Sequence, residues 1–84
     1  MGIECNVCDM VVKLIEEYII SGKTIGYIES RLNYICSILP KSYVDTCYNL
    51  VAELPRIIEY IFTIETPDTV CKQLEFCLTN NTCI

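Results

Sequence analysis

The sequence predicts an all-α fold, a compact bundle of five short helices held together by disulfides. Three observations carry that expectation. Apolar residues recur at helical spacing along nearly the whole chain, and period-two alternation is rarely sustained. Glycine and proline fall between the apolar runs, where they start and stop helices. Seven cysteines stand among 84 residues, so a chain too short for a generous core carries its own staples.

The first segment runs from about Ile3 to Ser21, with Cys5, Cys8, Val12, Ile15 and Ile19 on one stripe and Val11, Leu14 and Tyr18 on a second beside it. Gly22-Lys23 ends it, with glycine in the C-cap region. Thr24 can cap the second helix, which carries Ile25, Ile28, Leu32, Ile35 and Cys36, with Tyr27, Tyr34 and Ile38 on another side. Pro40 closes it, because the residue before proline resists helical angles. Ser42-Tyr43-Val44-Asp45 reads as a capping box opening a third helix through Val44, Cys47, Val51 and Leu54. Pro55 removes a backbone donor and kinks or divides that helix. A greasy fourth segment follows, Arg56 to about Ile64. Thr66-Pro67-Asp68 then starts a last helix with a cap, a first-turn proline and an acid at the positive dipole end. That helix is expected to reach about Cys77. Residues 1–84 read as one domain, with a framework over residues 3–77 and a tail over residues 78–84 that has little to hold it.

Composition narrows the function classes. The hydrophobic fraction is 52%, and a chain this size can bury only about 60–65% of its surface. Some apolar side chains must end up outside, in a hollow or against a partner. A net charge of −5 with no histidine argues against nucleic acid, whose phosphates need a basic face. It also disfavours anionic membranes at neutral pH. In acid the carboxylates lose charge, and affinity for anionic lipid should switch on. No apolar stretch is long enough for a membrane span, so the protein is expected to be soluble at rest. Met1-Gly2 is too short for a secretory signal and reads as an extraneous start on a mature domain. The cysteine density points to an oxidising compartment.

The cysteines are spaced C-x2-C, twenty-seven residues, C-x10-C, twenty-three residues, C-x5-C, with Cys83 after five more residues. Zinc is disfavoured, because there is no histidine and no second C-x2-C. A thioredoxin-like redox pair is disfavoured, because no βαβ pattern surrounds Cys5 and Cys8. No metal and no cofactor are expected. Spacing alone leaves the connectivity of the disulfides open.

Cys5-Asn6-Val7-Cys8, Cys36-Ser37-Ile38-Leu39-Pro40, Cys47 followed by Leu50-Val51, and Thr66-Pro67-Asp68-Thr69-Val70-Cys71 with Cys77 resemble the saposin-like proteins. The resemblance covers residues 3–77. It implies the saposin-like fold and three disulfides: Cys5–Cys77, Cys8–Cys71 and Cys36–Cys47. The two long loops would each add up to about 4 kcal/mol by constraining the unfolded chain. Cys83 departs from the pattern; a shifted pairing is conceivable, and otherwise Cys83 is a free thiol or joins two chains. Asn80-Asn81-Thr82 is a glycosylation sequon at Asn80.

The resemblance also implies a protein that binds, perturbs or extracts lipid and is not itself an enzyme. It implies the secretory pathway, ending in lysosome-like compartments, granule vesicles or the outside of the cell. Anionic phospholipid membranes are the expected partner, and the chain would act as a monomer or homodimer. Lys13, Lys23, Arg31, Lys41, Arg56 and Lys72 are candidates for lipid headgroups. The plainer role for each is a solvated helix face paired with a nearby acid, such as Lys13 with Glu16 or Glu17. Tyr27, Tyr34, Ile38, Ile58, Tyr60, Ile61 and Phe62 are candidates to face a membrane, although core packing would explain many of them equally well. Six tyrosines without a tryptophan suit a water–lipid boundary. Within the family the chain looks like the amoebapores, membrane-permeabilising proteins of amoebae. Those carry a histidine two residues before the last framework cysteine, linked to acid-triggered dimer assembly. This sequence has Glu75 there, which puts that switch in doubt and makes Glu75 a different pH-switch candidate, since glutamate loses charge in acid where histidine gains it. The alternative is a lipid carrier or activator that holds lipid in a cavity, possibly as a dimer.

Overall fold

Five helices follow in the expected order: α1 (Ile3–Ile20), α2 (Ile25–Ile38), α3 (Lys41–Ala52), α4 (Leu54–Phe62) and α5 (Pro67–Gln73). They come from a computed structural model that describes residues 2–63 and 66–77. Ile64, Asn80 and Cys83 therefore lie outside the described residues.

Local chemistry sets most of the helix ends. The Tyr27 amide donates to Thr24 Oγ1 (3.1 Å) and starts α2, and the Thr69 amide donates to Thr66 Oγ1 (3.2 Å) and starts α5. Gly22 ends α1 with φ at 80°. The Lys23 amide reaches back to the Tyr18 carbonyl (2.9 Å) and the Gly22 amide to that of Ile19 (3.0 Å), which is the Schellman pattern. Pro55 divides rather than kinks: α3 ends at Ala52, and the proline falls in the first turn of α4, where its missing N–H costs nothing.

Two expectations need correction. The Ser42–Asp45 capping box does not form. Pro40 is the N-cap of α3 and makes no side-chain bond, and the Tyr43 amide already donates to the Pro40 carbonyl (2.8 Å). The helix thus starts at Lys41, two residues too early for Ser42 to cap it. The last helix also stops short of Cys77. Glu75 takes φ of 69°, the Phe76 amide bonds the Cys71 carbonyl (2.9 Å), and the Glu75 amide bonds that of Lys72 (3.0 Å). This is the same Schellman pattern with glutamate in the position that glycine usually fills. A side chain in that left-handed region costs about 1–2 kcal/mol. Glu75→Gly is therefore expected to stabilise the fold by about 1 kcal/mol. Urea denaturation with the disulfides intact tests this; an unchanged or lower midpoint would contradict it.

The buried core draws Val7, Val11, Val12 and Ile15 from α1, Ile28 and Leu32 from α2, Leu50 and Val51 from α3, Leu54 and Ile57 from α4, and Val70 from α5. Val11, placed on the second stripe by its spacing, is fully buried, so the two stripes of α1 merge into one broad face. α1 packs most extensively against α3 and α5, and α2 packs mainly against α3. The molecule measures 41 × 32 × 16 Å, a slab rather than a ball. In a slab each amphipathic helix buries one side and leaves the other wet, and this layout creates the surface described next.

Candidate functional site

Three disulfides fix the framework: Cys5–Cys77, Cys8–Cys71 and Cys36–Cys47, with Cα separations of 4.6, 5.9 and 5.5 Å. The first two clasp α1 to the last segment. Cys77 reaches its partner only because the turn at Glu75 folds the chain back, so that the Cys77 amide bonds the Cys71 carbonyl (3.2 Å). Beside the clasp, Asp9 brings a carboxylate oxygen within 4.8 Å of the sulfurs of Cys71 and Cys77. Both sulfurs are committed to disulfides, so the trio is not a metal site. Asp9 Oδ1 is buried there without a hydrogen-bond partner.

Large apolar side chains stand in solvent: Ile20 is 84% exposed, Phe62 68%, Ile38 62% and Tyr34 55%, and Ile25 and Tyr27 are also exposed. Of the candidates to face a membrane, Tyr27, Tyr34, Ile38 and Phe62 are thus outside, while Ile58, Tyr60 and Ile61 are half-buried against the core. Ile20 and Ile25 fell outside that candidate set. Their signal lay in their positions flanking the Gly22 turn, where no helix can cover them.

The six cations separate into distinct surroundings. Lys72 is half-buried and pairs with Asp68 (3.1 Å), and Arg56 pairs with Glu53 (3.2 Å) and bonds the Tyr60 hydroxyl (3.4 Å). Tyr60, first, and then Glu53 hold the Arg56 guanidinium above its ordinary pKa. Lys13 and Lys41 are exposed, and among the described residues Lys13 makes no ion pair with Glu16 or Glu17, contrary to the plainer expectation. Lys23 and Arg31 meet rings instead. Lys23 Nζ lies 5.0 Å from the Tyr27 centroid, the Arg31 guanidinium 5.5 Å from that of Tyr34, and Tyr18 meets Tyr27 edge-on at 5.8 Å. A hydrogen bond with Tyr18 is the main cause of an upward shift of the Arg31 pKa. Sequence spacing could not bring Tyr18 into this group, because it joins from α1 while the others belong to α2 and the turn before it.

A polar cleft of about 510 Å³ opens between the α3–α4 junction and the end of α5, lined by Asn49, Glu53, Arg56, Gln73, Glu75 and Phe76 among others. Glu75 is exposed and lines the cleft together with Glu53 and Arg56. Among the described residues no helix is long and apolar enough to cross a membrane.

The family model described as saposin-like type B, region 1, matches residues 3–40, and that for region 2 matches residues 45–77. The chain belongs to the saposin-like type B family. This saposin-like chain is 28% identical over 78 residues to saposin-C of Cavia porcellus, covering 92% of the chain and 96% of that protein. It is 31% identical over 77 residues to proactivator polypeptide-like 1 of Homo sapiens and 25% identical over 77 residues to its counterpart of Mus musculus. It covers 15% of the length of each of those two proteins. No solved structure matches the chain.

Proposed function

We propose that this saposin-like chain binds anionic phospholipid membranes in acid and perturbs the bilayer, by fusion or permeabilisation, without being an enzyme. The observation that carries this reading is the set of exposed isoleucine, phenylalanine and tyrosine side chains on a disulfide-clasped scaffold. Burying one such side chain in lipid gains about 1.5–3 kcal/mol, so a few suffice for attachment. The polar backbone stays satisfied within the helices, so the molecule lies on or in the interface rather than across it. Three disulfides support a place in the secretory pathway, which on this reading ends in lysosome-like or granule compartments or outside the cell. Opening about Gly22 and the α3–α4 junction at Pro55 would free the apolar face of α4 for acyl chains.

The test is release of a trapped dye from phosphatidylserine liposomes near pH 4.5 and near pH 7.5, with lipid mixing followed in parallel. Release or mixing in acid is the expected result. Neither, at either pH, would reject bilayer perturbation. A second reading is favoured by two relatives that are proactivator polypeptide-like proteins: the chain would carry lipid or assist another protein, possibly as a dimer. Lipid that co-purifies at fixed stoichiometry would favour it over perturbation.

A further inference from the structure

We propose that the outer flank of α2 is the face that first seats on an anionic bilayer, with Arg31 and Lys23 at the headgroups and Tyr34 and Ile38 below them. This inference rests on the membrane reading above and goes further by naming the face. Tyr27, Arg31, Tyr34 and Ile38 follow at steps of four, three and four, so they form a single stripe about 16 Å long. All four are exposed. The one acid of α2, Glu29, is two positions from both Tyr27 and Arg31, on the opposite side of the helix. The stripe is therefore apolar and positive on a chain whose net charge is −5.

Charge complementarity selects the occupant. Arg31 lies over the Tyr34 ring and forms no ion pair among the described residues, whereas Arg56 and Lys72 are already paired with acids. A guanidinium held by rings keeps its outer donors for an incoming anion. A phosphate or carboxylate headgroup supplies that anion, and the acyl layer beneath it suits the ring and isoleucine surface. A soluble anion would leave Tyr34 and Ile38 wet. Tyrosine ordinarily stands at this boundary, with its ring in the apolar layer and its hydroxyl in water.

The experiment measures partition of the whole protein onto phosphatidylserine-containing vesicles near pH 4.5. Arg31→Gln removes one positive charge and Gln73→Glu adds more than half of one negative charge at this pH, but only the first lies on the stripe. Arg31→Gln is expected to weaken partition about fivefold, while Gln73→Glu, exposed on α5, binds like the parent chain. Tyr34→Ser with Ile38→Ser is expected to weaken it by about tenfold or more. The chain has no tryptophan, so a Tyr34→Trp variant reports on this site alone. Its emission should shift to the blue on vesicles and be quenched by brominated lipid. That readout uses the folded protein and does not depend on the serine variants folding. Parent binding with unaffected stripe variants, or with unquenched emission at position 34, overturns the α2 face and leaves the membrane reading standing. A parent chain that binds no vesicle overturns both.

Discussion

Removing Cys5–Cys77 alone, by Cys5→Ala with Cys77→Ala, is expected to leave a folded but weakened protein, whereas reduction of every disulfide unfolds it. The reason is that the two long bridges nest. Cys5–Cys77 spans a sequence separation of 72 and Cys8–Cys71 one of 63, so the second lies wholly inside the first. Whichever closes first constrains the unfolded chain by about 4 kcal/mol on the loop-entropy account. Once it is closed, the other bridge only completes a small ring. The two separations differ by nine residues, and a ring of that size is worth about 3 kcal/mol. The two bridges are therefore not worth 4 kcal/mol each, as their loop lengths taken singly imply.

Losing one long bridge should thus cost about 3 kcal/mol, and losing both about 7 kcal/mol. The whole stability of a domain this size is only about 4–13 kcal/mol. Cys5 is the better bridge to remove, because it is partly exposed; Cys8 and Cys71 are fully buried among Val12, Ile15 and Val70 and would leave a cavity. Thermal melting followed by helical circular dichroism checks this. A drop in midpoint of about 10–25 °C is expected for the double alanine variant, and no cooperative transition for the reduced chain. A reduced chain that melts at the parent temperature would show that the core, not the clasp, holds the fold.

The helix starts at Thr24 and Thr66 were legible because a cap is a contact between residues three apart. The end of α1 was legible because Gly22 announces the left-handed residue that closes it. The end of α5 was not legible, since Glu75 adopts the same conformation without a glycine to signal it. The bridge at Cys77 forces the turn from a distance. At Ser42 the local pattern misled, because Pro40 had already set the start of the helix. The disulfide pairing came from the family resemblance, and spacing by itself left it open. The exposed residues of α2 were legible, and helical spacing already puts Tyr27, Tyr34 and Ile38 on one side of it. Tyr18 reaches Tyr27 from α1, which only the tertiary fold shows, whereas Lys23 and Tyr27, Arg31 and Tyr34, and Arg56 and Glu53 are three or four residues apart.

Partition onto phosphatidylserine vesicles is expected to be about tenfold or more stronger near pH 4.5 than near pH 7.5. The chain carries −5 at pH 7 and none at its isoelectric point of about 4.4, so acidification removes charge that the membrane repels. An anionic leaflet near −30 mV repels each negative charge by about 0.7 kcal/mol. The full −5 would then cost about 3.5 kcal/mol. Screening acts over about 8 Å, and the molecule is 41 Å long, so only the nearer charges feel the surface. A third to a half of the full figure gives the expected factor. The stripe around Arg31 stays positive at both pH values, so binding near pH 7.5 is weakened rather than abolished. The switch is spread over eleven carboxylates rather than lodged in one, so Glu75→Gln should leave the ratio almost unchanged. Raising the salt to about 1 M, where screening acts within about 3 Å, should flatten the ratio and leave the apolar attachment. Equal binding at both pH values would remove the acid switch. A ratio abolished by Glu75→Gln would instead place the switch at the turn between Cys71 and Cys77.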